Sequence, residues 1–203
     1  MDARYEATWL PIGHEVAGQD PTALAVEHVE RQCSEAGARG VLMTSCRRDA
    51  ATPSLKRFAR QHVHVTRRSR SSAFLGGGPV LLDMPDAGLL ADAHKLAHGR
   101  SLCVIESGAF RLHGWAAATR AVDLMTGERT APPTNETLRL LDALVFAGNN
   151  GWADGPGKRD AQRLLGELAV AIPSLDADFV AGYVISKGVS GEGVKRLRTI
   201  WSE

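Results

Sequence analysis

PVLLDMPDAGLLADAHKLAHGRSLCVIE, residues 79–106, holds the pattern on which the fold turns. It opens and closes on short apolar runs, PVLLDM (79–84) and SLCVIE (101–106), with AGLLADAHKLAHG between them. Neither run alternates apolar with polar residues, so each reads as a strand buried on both faces. The intervening segment has helical spacing. Strand, helix and strand in this order predict two parallel neighbours joined by a crossover.

The same pattern extends toward the N-terminus. GVLMTS (40–45) is a buried strand, SLKRFARQ (54–61) a helix begun at Thr52-Pro53, and HVHVTR (62–67) a further strand. Before these, ATWLPIG (7–13) reads as a strand in which Pro11 fits only an edge or a strand end. Asp20-Pro21-Thr22 starts a helix that Gly37 stops. The expectation is an α/β fold, a Rossmann-like and mostly parallel sheet of four or five strands over residues 1–108. From Phe110 onward the segments FRLHGWAAATRAVDLM, TNETLRLLDALVFAG, GKRDAQRLLGELAVAI, LDADFVAGYVISKG and SGEGVKRLRTIW all read as helices. Residues 109–203 are therefore expected to form a helical half, packed on the sheet or standing as a subdomain.

Composition sets limits on function. A chain of 203 residues with 44% hydrophobic and 23% charged side chains suits one domain with a sizeable core, or one domain and a small appendage. No apolar run approaches the roughly 20 residues of a membrane span, and MDARYEATWLPIG lacks a secretory pattern, so the expected location is the cytoplasm. Cys33, Cys46 and Cys103 are odd in number and far apart, which predicts reduced, packed thiols and neither a disulfide framework nor a zinc site. The oligomeric state stays open, a homo-oligomer included.

The net charge of +1 conceals a basic lobe. Residues 39–72 carry nine basic side chains and one acidic, Asp49, for a local net of +8. A polyanion senses charge within a Debye length of about 8–10 Å, so the lobe matters more than the total. Ligands of open parallel sheets bind beyond the carboxyl ends of the strands. There the chain places His14 and Glu15, then Thr44, Ser45, Cys46, Arg47 and Arg48, then Thr66, Arg67, Arg68, Ser69 and Arg70, then Asp83 and Asp86, and last Glu106.

Arginines and hydroxyls bind phosphate through charge-assisted hydrogen bonds. The leading expectation is a nucleic acid or nucleotide held by Arg47, Arg48, Arg67, Arg68 and Arg70, with Ser45, Thr66 and Ser69 adding hydrogen bonds. The enzymatic alternative is a metal-assisted phosphoesterase or nuclease using Asp83, Asp86 and Glu106, with His14 or Glu15, and a divalent cofactor enters only with it. A third reading pairs the arginines with an acidic protein partner or with the acidic N-terminal residues of a second copy.

Several other motifs carry less. LGGGP (75–79) precedes a strand and so lies at the wrong end to cradle phosphate. GNNGWADGPGKRD (148–160) lacks the spacing, the preceding strand and the hydroxyl of a P-loop, which leaves helix-opening amides able to receive an anion. Cys46 beside two arginines is expected to be buried and inert. His62 and His64, alternate on one strand, form a ligand pair or two partly buried, hydrogen-bonded side chains. Trp115 is expected as a core anchor.

YVISKGVSGEGVKRLRTIW resembles the turn of helix-turn-helix DNA-binding domains within residues 178–202, with Gly188 at the turn and Ser190 as the second N-cap. The resemblance implies that Lys195, Arg196 and Arg198 face nucleic acid. An ordinary helix–helix corner is the alternative.

Overall fold

A computed structural model describes residues 5–13, 20, 22–67, 77–153, 155–172 and 175–202. Among these residues six parallel strands form one sheet: β1 (Glu6–Leu10), β2 (Val41–Thr44), β3 (Val63–Thr66), β4 (Val80–Asp83), β5 (Ser101–Ile105) and β6 (Val122–Asp123). Their spatial order is β3-β2-β4-β5-β1-β6. The segment 79–106 is the expected unit, with Val80 opposite Leu102 and Asp83 opposite Ile105. Pro11 follows the last residue of β1, at a strand end as its missing N–H demands.

Among the described residues eight helices surround the sheet: α1 (Ala23–Ala36), α2 (Pro53–Gln61), α3 (Ala87–Leu96), α4 (His113–Thr119), α5 (Asn135–Ala147), α6 (Gly155–Ala171), α7 (Ala177–Ser186) and α8 (Gly191–Trp201). Their ends follow local chemistry. Thr52, Asp86, Thr134, Asp176 and Ser190 each accept a backbone N–H of the first turn. Helix α1 ends where Gly37 takes φ +59°. Its start lies at Thr22, and Pro21 falls outside the described residues.

The absence of alternation in the strands is explained by two apolar layers. Val41, Met43, Val80, Leu82, Leu102 and Val104 join one cluster with α3 to α8. Leu42, Leu81, Cys103 and Ile105 join the other with α1 and α2. The helical half thus shares its core with one face of the sheet. The sheet also runs further along the chain than the sequence suggests. Arg120 breaks α4 at φ +53°, and Val122–Asp123 then pair beside β1 as a sixth strand. A strand of two residues is too short to show a period, so the helical signal on either side masked it.

Helices α4 and α7 cross with almost no side chain between them. A Cβ at Gly114 would stand 1.8 Å from the Phe179 carbonyl oxygen, and one at Gly182 would stand 2.7 Å from the Trp115 nitrogen. This contact seats Trp115, fully buried, whose indole N–H donates to the Tyr5 hydroxyl at 3.0 Å. Gly114→Ala should therefore force the helices apart and lower the unfolding free energy by at least about 1–3 kcal/mol in denaturant titration. A neutral result would mean that the crossing is looser than described.

Candidate functional site at the carboxyl edge of β2 and β4

The connection after β2 runs through α2 to β3, and the connection after β4 runs through α3 to β5. They leave in opposite directions on opposite faces, as a constant crossover hand requires. Between the carboxyl ends of β2 and β4 the chain therefore parts, which makes this the topological switch point where open α/β sheets hold ligands.

Asp83 closes β4 on the α1/α2 side, with 2% of its surface exposed. Its Oδ1 is buried and receives no hydrogen bond from any described residue. Burial first, and the negative charge of Asp49 second, push its carboxyl up to about 7. The next residue, Met84, takes φ +44° although it carries a side chain that is 52% exposed. A positive φ at a non-glycine residue costs on the order of 1 kcal/mol and often marks a functional bend.

After β2 the chain forms a short 3-10 turn, Arg47–Asp49. The Asp49 carboxylate fixes it, accepting the Cys46 N–H at 2.6 Å and the Cys46 thiol at 3.0 Å. Thr44, fully buried, donates its hydroxyl to the Cys46 carbonyl at 2.8 Å. The same Thr44 oxygen lies 2.8 Å from His64 Nε2, which therefore carries the proton. Burial, then the Arg47 charge, lowers the His64 pKa and so favours the neutral ring. His62 is likewise committed, its Nδ1 accepting the Gly40 N–H at 3.0 Å. Both histidines brace the backbone. Ser45, Cys46, Arg47 and Arg48 stand exposed around the turn. The exposure of Cys46 corrects the expectation of a packed thiol, since the turn carries it off the sheet; Cys33 and Cys103 are buried.

The arginine group divides. Arg47 and Arg48 form no ion pair with any described residue, and they sit on the loop toward α2. Arg67 leaves β3 on the other face and pairs with Asp86, which also caps α3 by accepting the Leu89 N–H at 2.8 Å. Thr66 ends β3 half-buried. Arg68, Ser69, Arg70, His14 and Glu15 lie outside the described residues. Elsewhere in the basic lobe, Arg57 pairs with Glu30 and Arg39 donates to the Gln61 carbonyl.

The expected carboxylate trio is not a cluster either. Glu106 follows Ile105, whose side chain faces the α1/α2 layer, so strand alternation turns Glu106 to the opposite face from Asp83. There it is fully engaged: Oε2 accepts the Ile12 N–H at 2.9 Å and Oε1 accepts the Leu112 N–H at 2.7 Å. It ties the loop after β1 to the start of α4. Among the described residues no group of three or more His, Cys, Asp or Glu is placed to hold a metal ion.

The C-terminal helix pair has the expected turn, with Gly188 at φ +91° and Ser190 capping α8. Its first turn, however, abuts α3: a Cβ at Gly191 would lie 2.9 Å from the Gly88 Cα. A recognition helix needs that end free to enter a groove. Arg198 is paired with Asp178 and lies over the Phe110 ring, and Arg196 reaches the Gly151 carbonyl; Lys195 is exposed. Arg67, Asp86, Ser190, Lys195 and Arg198 do meet at a cleft of about 880 Å³ between α3 and α8, but its arginines are already matched by carboxylates. Residues 148–153 follow α5, with Trp152 buried among them, and residues 155–158 form the first turn of α6.

Sequence reading missed Asp49 as a participant. Its signal was present, as the single acid among nine basic residues. Compared with known proteins, the chain matches no family model, and no curated protein or solved structure is significantly similar to it.

The Asp83 carboxyl has a folded pKa raised from 3.8 to about 7, so the native state keeps a proton that the unfolded chain releases. Its contribution to stability is complete below pH 3.8 and is lost as pH rises through about 7. Asp83→Asn, neutral throughout, escapes that loss. Thermal melts should show the variant gaining on the wild type between acidic and alkaline pH, by at most on the order of 4 kcal/mol. A variant equally destabilised at every pH would show that Asp83 is a structural group in its ionised form.

Proposed function

We propose that the protein binds a phosphate-bearing ligand, a nucleotide or nucleic acid, at the carboxyl edge of β2 and β4. The observation that carries this reading is a pair of exposed arginines without ion-pair partners among the described residues, Arg47 and Arg48, on the loop at the switch point. Two like charges held side by side on a short turn repel, and phosphate supplies both the charge and the acceptors that guanidinium groups lack there. Ser45 adds an exposed hydroxyl on the same loop. Arg67 plays a different part in this reading, holding the start of α3 through Asp86. The phosphoesterase reading keeps only Asp83 of its three carboxylates in a reactive setting, because Asp86 caps a helix and Glu106 clamps two amides.

The test is affinity for single-stranded DNA, duplex DNA and ATP as a function of salt. Each phosphate contact to duplex DNA contributes a slope of about −0.9 in log affinity against log salt, so Arg47→Ala/Arg48→Ala should flatten the slope by about 2. Arg67→Ala should leave the slope unchanged while lowering stability. ATP competition with a shallow slope would assign the site to a mononucleotide. Failure to bind any of the three at low salt would overturn the reading, and binding to an acidic protein alone would transfer the arginines to a protein partner.

A further inference from the structure

Away from the β2–β4 edge, described residues line a cavity of about 770 Å³ where the starts of α4, α5 and α7 approach the end of α6. That volume falls within the roughly 300–1,000 Å³ of small-molecule sites. Pro132, Pro133, Ile172, Leu175 and Phe179 form its apolar wall. The last four are half-buried, so they remain partly open and do not close on one another. The Phe179 backbone is held by the α4–α7 crossing, with its carbonyl against Gly114 and its N–H donating to Asp176 Oδ1 at 2.7 Å.

Four polar side chains around this wall, Arg111, His113, Glu136 and Asp176, differ in how far the protein already satisfies them. Glu136 lies in the first turn of α5 and Asp176 caps α7, positions where a helix N-terminus stabilises negative charge. Arg111 has no such counterpart. Its backbone N–H donates to Asp178 at 2.9 Å, and that carboxylate also receives Arg198. The Arg111 guanidinium itself is exposed and meets no partner among the described residues. His113 has its ring edge-on to Trp9 and its Nδ1 3.9 Å from Glu106 Oε1, with no described partner for Nε2. We infer that this cavity binds a small apolar monocarboxylate, with the carboxylate on Arg111 and the hydrocarbon body against Phe179, Leu175 and the two prolines. A planar guanidinium meets a carboxylate through two parallel hydrogen bonds. The acidic neighbours limit the anion to a single charge, because a dianion would leave one charge repelled by Glu136 and Asp176. This site is separate from the phosphate-binding reading and does not depend on it.

Phenylacetate is the probe, with phenylacetamide, phenethylammonium and acetate as controls. In the labelled wild type, phenylacetate at millimolar concentration should shift amide signals of residues 111–113, 134–137 and 175–179 and leave residues 44–49 unmoved. Phenylacetamide, which keeps the body and loses the charge, should bind about tenfold more weakly, the worth of a charge-assisted hydrogen bond. Acetate, which keeps the charge and loses the body, should also bind at least about tenfold more weakly. Arg111→Gln should lower the affinity for phenylacetate to that for phenylacetamide and leave the amide's own affinity unchanged. Equal affinity for acid and amide in the wild type, or an acid affinity unaltered in Arg111→Gln, would overturn the inference. Shifts confined to residues 44–49 would overturn it by assigning the anion to the carboxyl edge. Tighter binding of phenethylammonium would give the cavity to a cation held by Glu136 and Asp176. No shift at the highest soluble concentration of phenylacetate would remove the site altogether.

Discussion

Burial of the sheet on both faces governs the rest of the molecule. Successive residues of β2, β4 and β5 enter two separate apolar layers, so both faces of the sheet are largely apolar. Polar chemistry is pushed to the strand ends, where backbone pairing stops and loops begin. Among the described residues Asp83 and Glu106 are buried carboxyl groups at that edge, and they behave in opposite ways. Glu106 meets two backbone amides and becomes part of the framework. Asp83 has an oxygen without a described donor and a carboxyl pushed up to about 7. A buried group that is paired serves the fold, and one left unpaired at a switch point is where function is sought.

The helical half contributes by closing one layer. Helices α3 to α8 share a core with one face of the sheet, and the close glycine crossing of α4 and α7 locks Trp115 beneath it. This packing absorbs α8, whose first turn rests on α3. The basic residues of that helix are therefore largely spoken for by neighbours, whereas Arg47 and Arg48 project from a turn held by Asp49, Cys46 and Thr44. Positive charge in this protein thus has two settings, one matched internally and one exposed without an ion-pair partner among the described residues.

The architecture was legible because strand and helix periods differ so plainly between residues 40 and 106. Apolar runs such as VLLD and SLCVI, separated by a helix, admit little besides parallel neighbours on a two-sided core. Strand β6 was not legible, since two residues carry no period and Arg120 ends the helix through a conformation rarely adopted outside glycine. The rule for parallel sheets singles out the edge, but the placement of the side chains along it was not legible. Whether Asp83 and Glu106 face the same way depends on one residue of register, and whether Arg67 is available depends on the cap of α3. Those are matters of three-dimensional placement that composition does not encode. Asp49 was visible only as a charge that did not belong in its lobe.

Amide chemical-shift mapping with magnesium pyrophosphate tests the central claim most directly, that ligand chemistry belongs to the carboxyl edge of β2 and β4. The account predicts shifts concentrated in residues 44–49 and 83–86, with α5 to α8 unmoved. Shifts confined to residues 148–153, to α6 or to α8, or none at saturating ligand, would contradict it.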